Sequence, residues 1–153
     1  MQTEKEIVVV RADEGRRISE IRVMKAGLEH GHGALTLMEL CLSPRLGSPP
    51  HIHHDADEAW YVLEGELTFY SGEWSAVVGA GDFVLVPRGA VHNYTVTSPI
   101  PARYLEMFAP AGKERFFEEL TALYAARGGG PISPEDQQAL WRKHNMTLLE
   151  LER

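Results

Sequence analysis

Cysteine is nearly absent from this chain. Cys41 is the only one in 153 residues, which excludes an internal disulfide and any cysteine-based zinc site. No apolar run approaches the roughly 20 residues of a membrane-spanning helix. Basic residues are few: 15 Lys and Arg against 22 Asp and Glu give a formal net charge of −7. That balance lacks the basic footprint of a nucleic-acid binder, and no polybasic run marks an anionic membrane as a partner. The opening Met1-Gln2-Thr3-Glu4-Lys5-Glu6 is too polar for a secretory signal, so the cytoplasm is the expected compartment. What is present is a globular composition, 44% hydrophobic and 24% charged. The length suits one domain, large enough to bury roughly 70% of its unfolded surface without cross-links.

Residues 31–110 read as β structure throughout. Short apolar or alternating runs fall at Ala34–Leu42, Ala59–Leu63, Glu66–Tyr70, Ser75–Val78, Asp82–Val86, His92–Thr97 and Ala102–Phe108. Turn residues punctuate them, among them Glu64-Gly65, Ser71-Gly72, Gly79-Ala80-Gly81 and Pro87-Arg88-Gly89. Many short strands with no helix between them point to an antiparallel sandwich or barrel. Residues 1–30 read as an extended N-terminal arm, with a strand expected at the β-branched run Ile7–Val10. Residues 111–153 change period. Phe116, Phe117, Leu120, Leu123 and Tyr124 recur at helical spacing. Gly128 to Gly130 end that helix, and Ser133-Pro134-Glu135-Asp136 opens a second with an N-cap serine and a first-turn proline. Leu148, Leu149 and Leu151 form an apolar tail.

Four residues carry the chemistry: His51, His53, Glu58 and His92. His51 and His53 are two apart, so on a strand both imidazoles face one side. Glu58 follows a short acidic turn at the start of the next run, and a hairpin there returns its carboxylate to the rings. His92 opens a later strand after Pro87-Arg88-Gly89. Three imidazoles and one carboxylate suit a divalent transition metal.

This arrangement resembles the cupin family. The family's first motif has two histidines with one residue between them, then three or four residues before a glutamate, and a further six before a glycine. His51, His53, Glu58 and Gly65 match it. Its second motif is matched by Gly81, Pro87, Gly89 and His92, each at the expected interval. The resemblance covers about residues 34–108. Two positions depart: the family's opening glycine falls at Arg45, and its closing asparagine at Val96. The resemblance implies an all-β jelly-roll barrel with a short C-terminal pair of α-helices. It also implies one divalent ion per chain held by His51, His53, Glu58 and His92; nitrogen and oxygen donors suit Fe, Mn, Ni, Cu, Co or Zn. The stretch from Pro50 to Glu66 looks most like single-domain relatives of quercetin-type dioxygenases. That implies an enzyme acting on a small enol, phenol or diketone, with Glu58 as catalytic base. A metal-dependent isomerase or lyase and a non-catalytic small-molecule binder are the alternatives, because one scaffold hosts many chemistries. Family members commonly pair through β-strands, so a homodimer is expected, with Ile7–Val10 available to a neighbour's sheet.

Trp60, which shares parity with Glu58, Phe69, which shares parity with Leu67, and Tyr94, which shares parity with His92, are candidates for the substrate pocket, although the same parity suits plain core filling. Met38, Met107 and Phe108 are further candidates for an apolar wall. His54 points away from His53 by alternation and reads as a surface residue. His30 and His32 lie in a glycine-rich loop without a nearby carboxylate pattern, and His144 reads as a solvated helix residue. Cys41 lies in an apolar strand and reads as a buried thiol. Arg45, Arg88 and Arg103 are the basic residues near these strands and read as surface salt-bridge partners.

Overall fold

The computed structural model describes residues 7–150. Eleven strands run in this order: β1 Arg16–Ser19, β2 Arg22–Ala26, β3 Thr36–Leu42, β4 His51–His53, β5 Asp57–Glu64, β6 Glu66–Ser71, β7 Trp74–Gly79, β8 Phe83–Val86, β9 Asn93–Val96, β10 Ala102–Ala109 and β11 Met146–Leu148. Two helices, α1 Glu114–Ala126 and α2 Pro134–Lys143, separate β10 from β11. All strand pairs are antiparallel.

The strands form two facing layers rather than one closed barrel. The first is a six-stranded sheet in the order β1-β2-β3-β10-β5-β8. The second combines β7-β6-β9 with the pair β11-β4, joined by single bridges between Gly47 and Thr95 and between His51 and His92. Alternation sends one side chain in two to the space between the layers. On the large sheet, cross-strand registry lines these inward residues into rows. One holds Glu58, Phe108 and Thr36; the next holds Trp60, Glu106, Met38 and Met24; the third holds Val62, Tyr104, Leu40 and Arg22. Leu67, Phe69, Tyr94 and Val96 face them from the opposite layer.

The helices form for the reasons legible in their residues. Phe116, Phe117, Leu120 and Leu123 share one face and pack with Leu140, Trp141 and Met146 in a second small core. Helix α1 ends where Gly128 and Gly129 take φ of 64° and 80°, returning their N–H groups to Ala125 and Tyr124. The Ser133 hydroxyl accepts from the Asp136 N–H, and Pro134 begins α2. Strand β11 pairs with β4, setting Met146 opposite His53 and Leu148 opposite His51. The helical hairpin is thereby fastened to the strand that carries two of the histidines.

Four expectations are corrected. Ile7–Val10 forms no strand, and Ile7, Val8 and Val9 are exposed. The N-terminal strands are β1 and β2, a hairpin closed by Glu20 and Ile21. Arg16, Arg17 and Arg22 dilute its apolar pattern, so its strand character is not legible in the residues. Cys41 is exposed, because Leu40 and Leu42 take the inward positions of β3 and leave Cys41 outward, opposite Arg103. His144 caps the end of α2 rather than lying in solvent: its side chain is 13% exposed, 3.4 Å from Glu119, with its ring against Phe116. Met146–Leu148 is a strand where only an apolar tail is expected, and Leu151 of that tail lies outside the described residues.

Candidate metal centre

His51 and His53 take the two buried positions of β4, with Ile52 turned away between them. Glu58 is the first inward residue of β5. His92 precedes β9 and is held opposite His51 by a bridge of two backbone hydrogen bonds, each 3.0 Å. The turn that delivers His92 depends on Gly89, whose φ of 89° lies in the left-handed region open to glycine. Its N–H donates to the His53 carbonyl at 2.7 Å, so the turn is bonded directly to the ligand strand. Arg45, standing where the resemblance places a glycine, has φ of 70°. The backbone keeps the left-handed conformation that glycine takes freely, at a cost of roughly 1–2 kcal/mol for a side chain with a Cβ.

One donor atom from each of His51, His53, Glu58 and His92 lies within 4.8 Å of the others. All four residues are buried, none more than 4% exposed. Glu58 Oε2 is 2.9 Å from Nε2 of both His53 and His92, and Nε2 of His51 approaches Nε2 of His53 to 3.1 Å. The outer nitrogens of two rings are fixed: His51 Nδ1–H donates to the Pro49 carbonyl at 2.7 Å, and His92 Nδ1–H to the Ala90 carbonyl at 3.1 Å. Such bonds set ring orientation and turn Nε2 toward the common centre. Among the described residues, the buried Nδ1 of His53 meets no hydrogen-bond partner.

The electrostatics agree with a cation site. Burial lowers His51 to about 4 despite the nearby Glu58 carboxylate, so its ring is neutral at physiological pH and offers a lone pair. Burial would raise Glu58, but the imidazoles of His53 and His92 outweigh it and hold the carboxyl ionised, below its ordinary range. Burial would lower His92, and Glu58 outweighs that in turn, raising it. The neutral His51 ring, with its Nε2 crowded against that of His53 beside a carboxylate, forms a focus that a divalent transition ion would satisfy. The donor set therefore fits such an ion.

His51, His53 and Glu58 line a cavity of about 290 Å³ between the layers, and His92 lies behind them; the volume is at the small end of ligand pockets. Its walls are mostly apolar. Leu40 and Leu42 line one side, and Phe116, Phe117, Leu120, Tyr124 and Trp141 of the two helices lie across it. The Trp141 ring stands 5.0 Å from that of His51.

Of the three aromatic pocket candidates, Tyr94 lines this cavity, and its hydroxyl is 2.7 Å from that of Tyr104. Trp60 and Phe69 do not. They are 0% and 1% exposed and pack edge to face in the core beneath, where the indole abuts His92 at 5.7 Å. Met38 and Phe108 are likewise fully buried, and the Phe108 ring braces His53. His54 is exposed and meets Thr147. His30 and His32 stay outside the cluster. Arg88 pairs with Asp57 and Arg103 with Glu39 on the surface, while exposed Arg45 pairs with no acid among the described residues.

Sequence reasoning missed two charged residues that reach the cavity, Arg22 and Glu106. Both are buried, and Arg22 Nη2 donates to Glu106 Oε1 at 3.4 Å. Burial pushes the Glu106 carboxyl up to about 7, against the pull of Arg22. The signal was alternation: Glu106 shares parity with inward Tyr104 and Phe108, and Arg22 with inward Met24. A charge at an inward position of an otherwise apolar strand marks either a structural pair or a site.

Comparison with known proteins agrees with this architecture. Residues 38–108 match the model of the cupin domain family, and the two antiparallel layers have a jelly-roll, double-stranded β-helix fold. The chain is 32% identical over 90 residues to quercetin 2,3-dioxygenase of Bacillus subtilis, covering 59% of this chain and 25% of that protein. It is 34% identical over 79 residues to germin-like protein subfamily T member 2 of Arabidopsis thaliana, covering 48% of this chain and 36% of the other. The chain thus spans only about a quarter to a third of the length of these relatives. Among solved structures, a predicted oxalate decarboxylase from Thermotoga maritima superposes with a TM-score of 0.60 at 23% identity, covering 67% of this chain and 99% of that one. The polyketide cyclase RemF from Streptomyces resistomycificus gives 0.56 at 24% identity, covering 68% and 79%. These structural likenesses concern the fold. Among the described residues no helix is long and apolar enough to cross a membrane.

Proposed function

We propose that the protein is a divalent-metal-dependent enzyme acting on a small, largely apolar enol, phenol or diketone, with dioxygenase-like chemistry. One observation carries the reading: three imidazoles and a carboxylate converge, and His51, His53 and Glu58 of that cluster open onto an apolar cavity walled by aromatic side chains. The similarity to quercetin 2,3-dioxygenase over 90 residues supports the reaction class.

His51, His53, Glu58 and His92 would hold the metal. When bound, a divalent ion there supplies Lewis acidity that favours the deprotonated form of a substrate oxygen. The rest is work for the chain itself. The aromatic wall of α1 and α2 receives the apolar body of the substrate and excludes water, which strengthens every polar interaction at the floor. Glu58 is ionised and takes the substrate's acidic proton at Oε2. Loss of that proton leaves the substrate electron-rich and open to attack by dioxygen.

Glu58→Gln is expected to lower turnover by about 10²- to 10⁴-fold, the usual worth of a general base, with metal retained because the amide oxygen can still serve as the fourth donor. The check is oxygen consumption with a panel of flavonols, catechols and β-diketones, in protein loaded separately with iron, manganese, nickel, cobalt or copper. Elemental analysis runs in parallel. Substrate binding without uptake of dioxygen under any metal would overturn the dioxygenase reading.

One observation favours a second reading, an isomerase or lyase that needs no dioxygen. Glu106 shares the cavity with Glu58, and burial holds its carboxyl partly protonated near neutrality. Two carboxyl groups with acidities pushed apart are the equipment for moving a proton from one substrate atom to another. Solvent deuterium incorporated into substrate without oxygen uptake would select this reading.

Metal affinity is expected to fall as pH falls. Glu58 raises His92 above its ordinary range, so a proton on that ring competes with a cation more strongly than it would on a free imidazole. Affinity then changes about tenfold per pH unit for each proton displaced. His51, lowered to about 4, adds no proton competition until far more acid conditions. Chelator competition between about pH 6 and about pH 8 reads the slope; a flat profile contradicts the assignment.

A further inference from the structure

Arg22 is the buried cation of the cavity, and its hydrogen bonding is unfinished. It is 9% exposed and lines the same cavity as His51, His53 and Glu58. A guanidinium carries five N–H donors and stays charged at any physiological pH. Among the described residues this one makes a single hydrogen bond, 3.4 Å from Nη2 to Glu106 Oε1, and its Nε is buried without a partner. A structural Arg–carboxylate pair closes a fork of two short bonds, and this pair closes neither. Glu106 is also a weak counter-charge, since burial favours its neutral form. A buried guanidinium left with one long bond is costly, so the arrangement calls for an anion that the chain does not supply.

The geometry also holds the group in place. Arg22 reaches from β2 across β3 to Glu106 on β10. The Phe117 ring of α1 covers its flat face, with the guanidinium carbon 3.5 Å from the ring centroid. The ring holds the guanidinium in place, and apart from the bond to Glu106 its N–H groups find no acceptor among the described residues. The planar anion with two oxygens that matches a guanidinium edge is a carboxylate. Along the sheet, the row holding Glu106 lies one step from the row holding Glu58, about 7 Å at the rise of a β-strand.

We propose that Arg22 anchors a substrate carboxylate, so that the substrate is a short apolar or aromatic acid whose carboxylate lies a few bonds from the carbon that reacts over Glu58. This rests on the reading above, that the cavity is the substrate site, and narrows it to enolisable or phenolic acids.

The test uses phenylpyruvate, an aromatic acid with an enolisable carbonyl, against phenylacetone, its neutral counterpart. Binding is measured calorimetrically on zinc-loaded and on zinc-free protein, zinc being redox-inert. Wild type is expected to bind the acid about 10- to 100-fold more tightly than the ketone, the worth of a charge-assisted hydrogen bond or two. Arg22→Lys should lose about tenfold of that preference by losing the fork, and Arg22→Met all of it, with zinc stoichiometry unchanged in both. Equal affinity of wild type for acid and ketone overturns the proposal without using any variant. So does a preference that survives in Arg22→Met. Failure to take up zinc overturns the metal-enzyme reading instead, and the acid-versus-ketone comparison on zinc-free protein still decides the role of Arg22.

Discussion

His51→Ala and His92→Ala are each expected to abolish stoichiometric binding of a divalent transition ion. Each ring supplies one of only four convergent donors, and each is oriented through a backbone carbonyl that no neighbouring side chain replaces. Losing a mere supporting partner of a ligand costs roughly 10- to 100-fold in affinity; losing the ligand itself costs more. Protein purified without added metal, analysed for its elements and titrated against a chelator, gives the answer. His54→Ala is the control. It is the third histidine of the same run, yet its ring is exposed and bonded to Thr147, so its removal should leave metal content unchanged. Wild-type stoichiometry in both His51→Ala and His92→Ala would remove the basis of the proposed function.

Trp60→Ala is expected to cost about 3–5 kcal/mol of stability, the usual range for deleting a fully buried large aromatic. The indole has no exposed surface and meets the rings of Phe69 at 4.8 Å, His92 at 5.7 Å and Tyr94 at 5.8 Å. At roughly 2–4 °C per kcal/mol for a domain of this size, the melting temperature should fall by about 10 °C. Metal binding should weaken as well, because the ring that backs His92 is gone. A loss under about 1 kcal/mol would instead place the indole in open cavity rather than in packed core. Trp60→Phe, which keeps a ring in the space, should recover most of the stability.

The two roles that parity left open for Trp60 and Tyr94 show how far local reasoning reaches. Both residues face inward, and alternation says no more than that. Whether an inward side chain meets a cavity or another side chain depends on the opposite layer and on the helices, which contribute through contacts distant in the chain. The same limit explains Cys41 and Ile7–Val10. An apolar run predicts burial only where a second layer arrives to cover it; the outer face of β3 stays open at Cys41, and no described strand pairs with Ile7–Val10. Arg22 and Glu106 escaped notice for a related reason. In strands of five and eight residues, one charge at an inward position looks like an interrupted pattern until its partner and its cavity are seen.

Local chemistry made legible the antiparallel strands between residues 34 and 109, the two helix boundaries at Gly128 and Ser133, and the four candidate donors. Each rests on short-range rules: a period of two that sets His51 and His53 on one face, a glycine at positive φ that turns the chain before His92, a hydroxyl that caps a helix. The cavity was decided only by assembly of the whole chain. Its roof exists because β11 pairs with β4 and draws Phe117 and Trp141 across the histidines. Such pairing joins segments far apart in sequence, and its free energy comes from buried area shared between them, which no single segment carries alone.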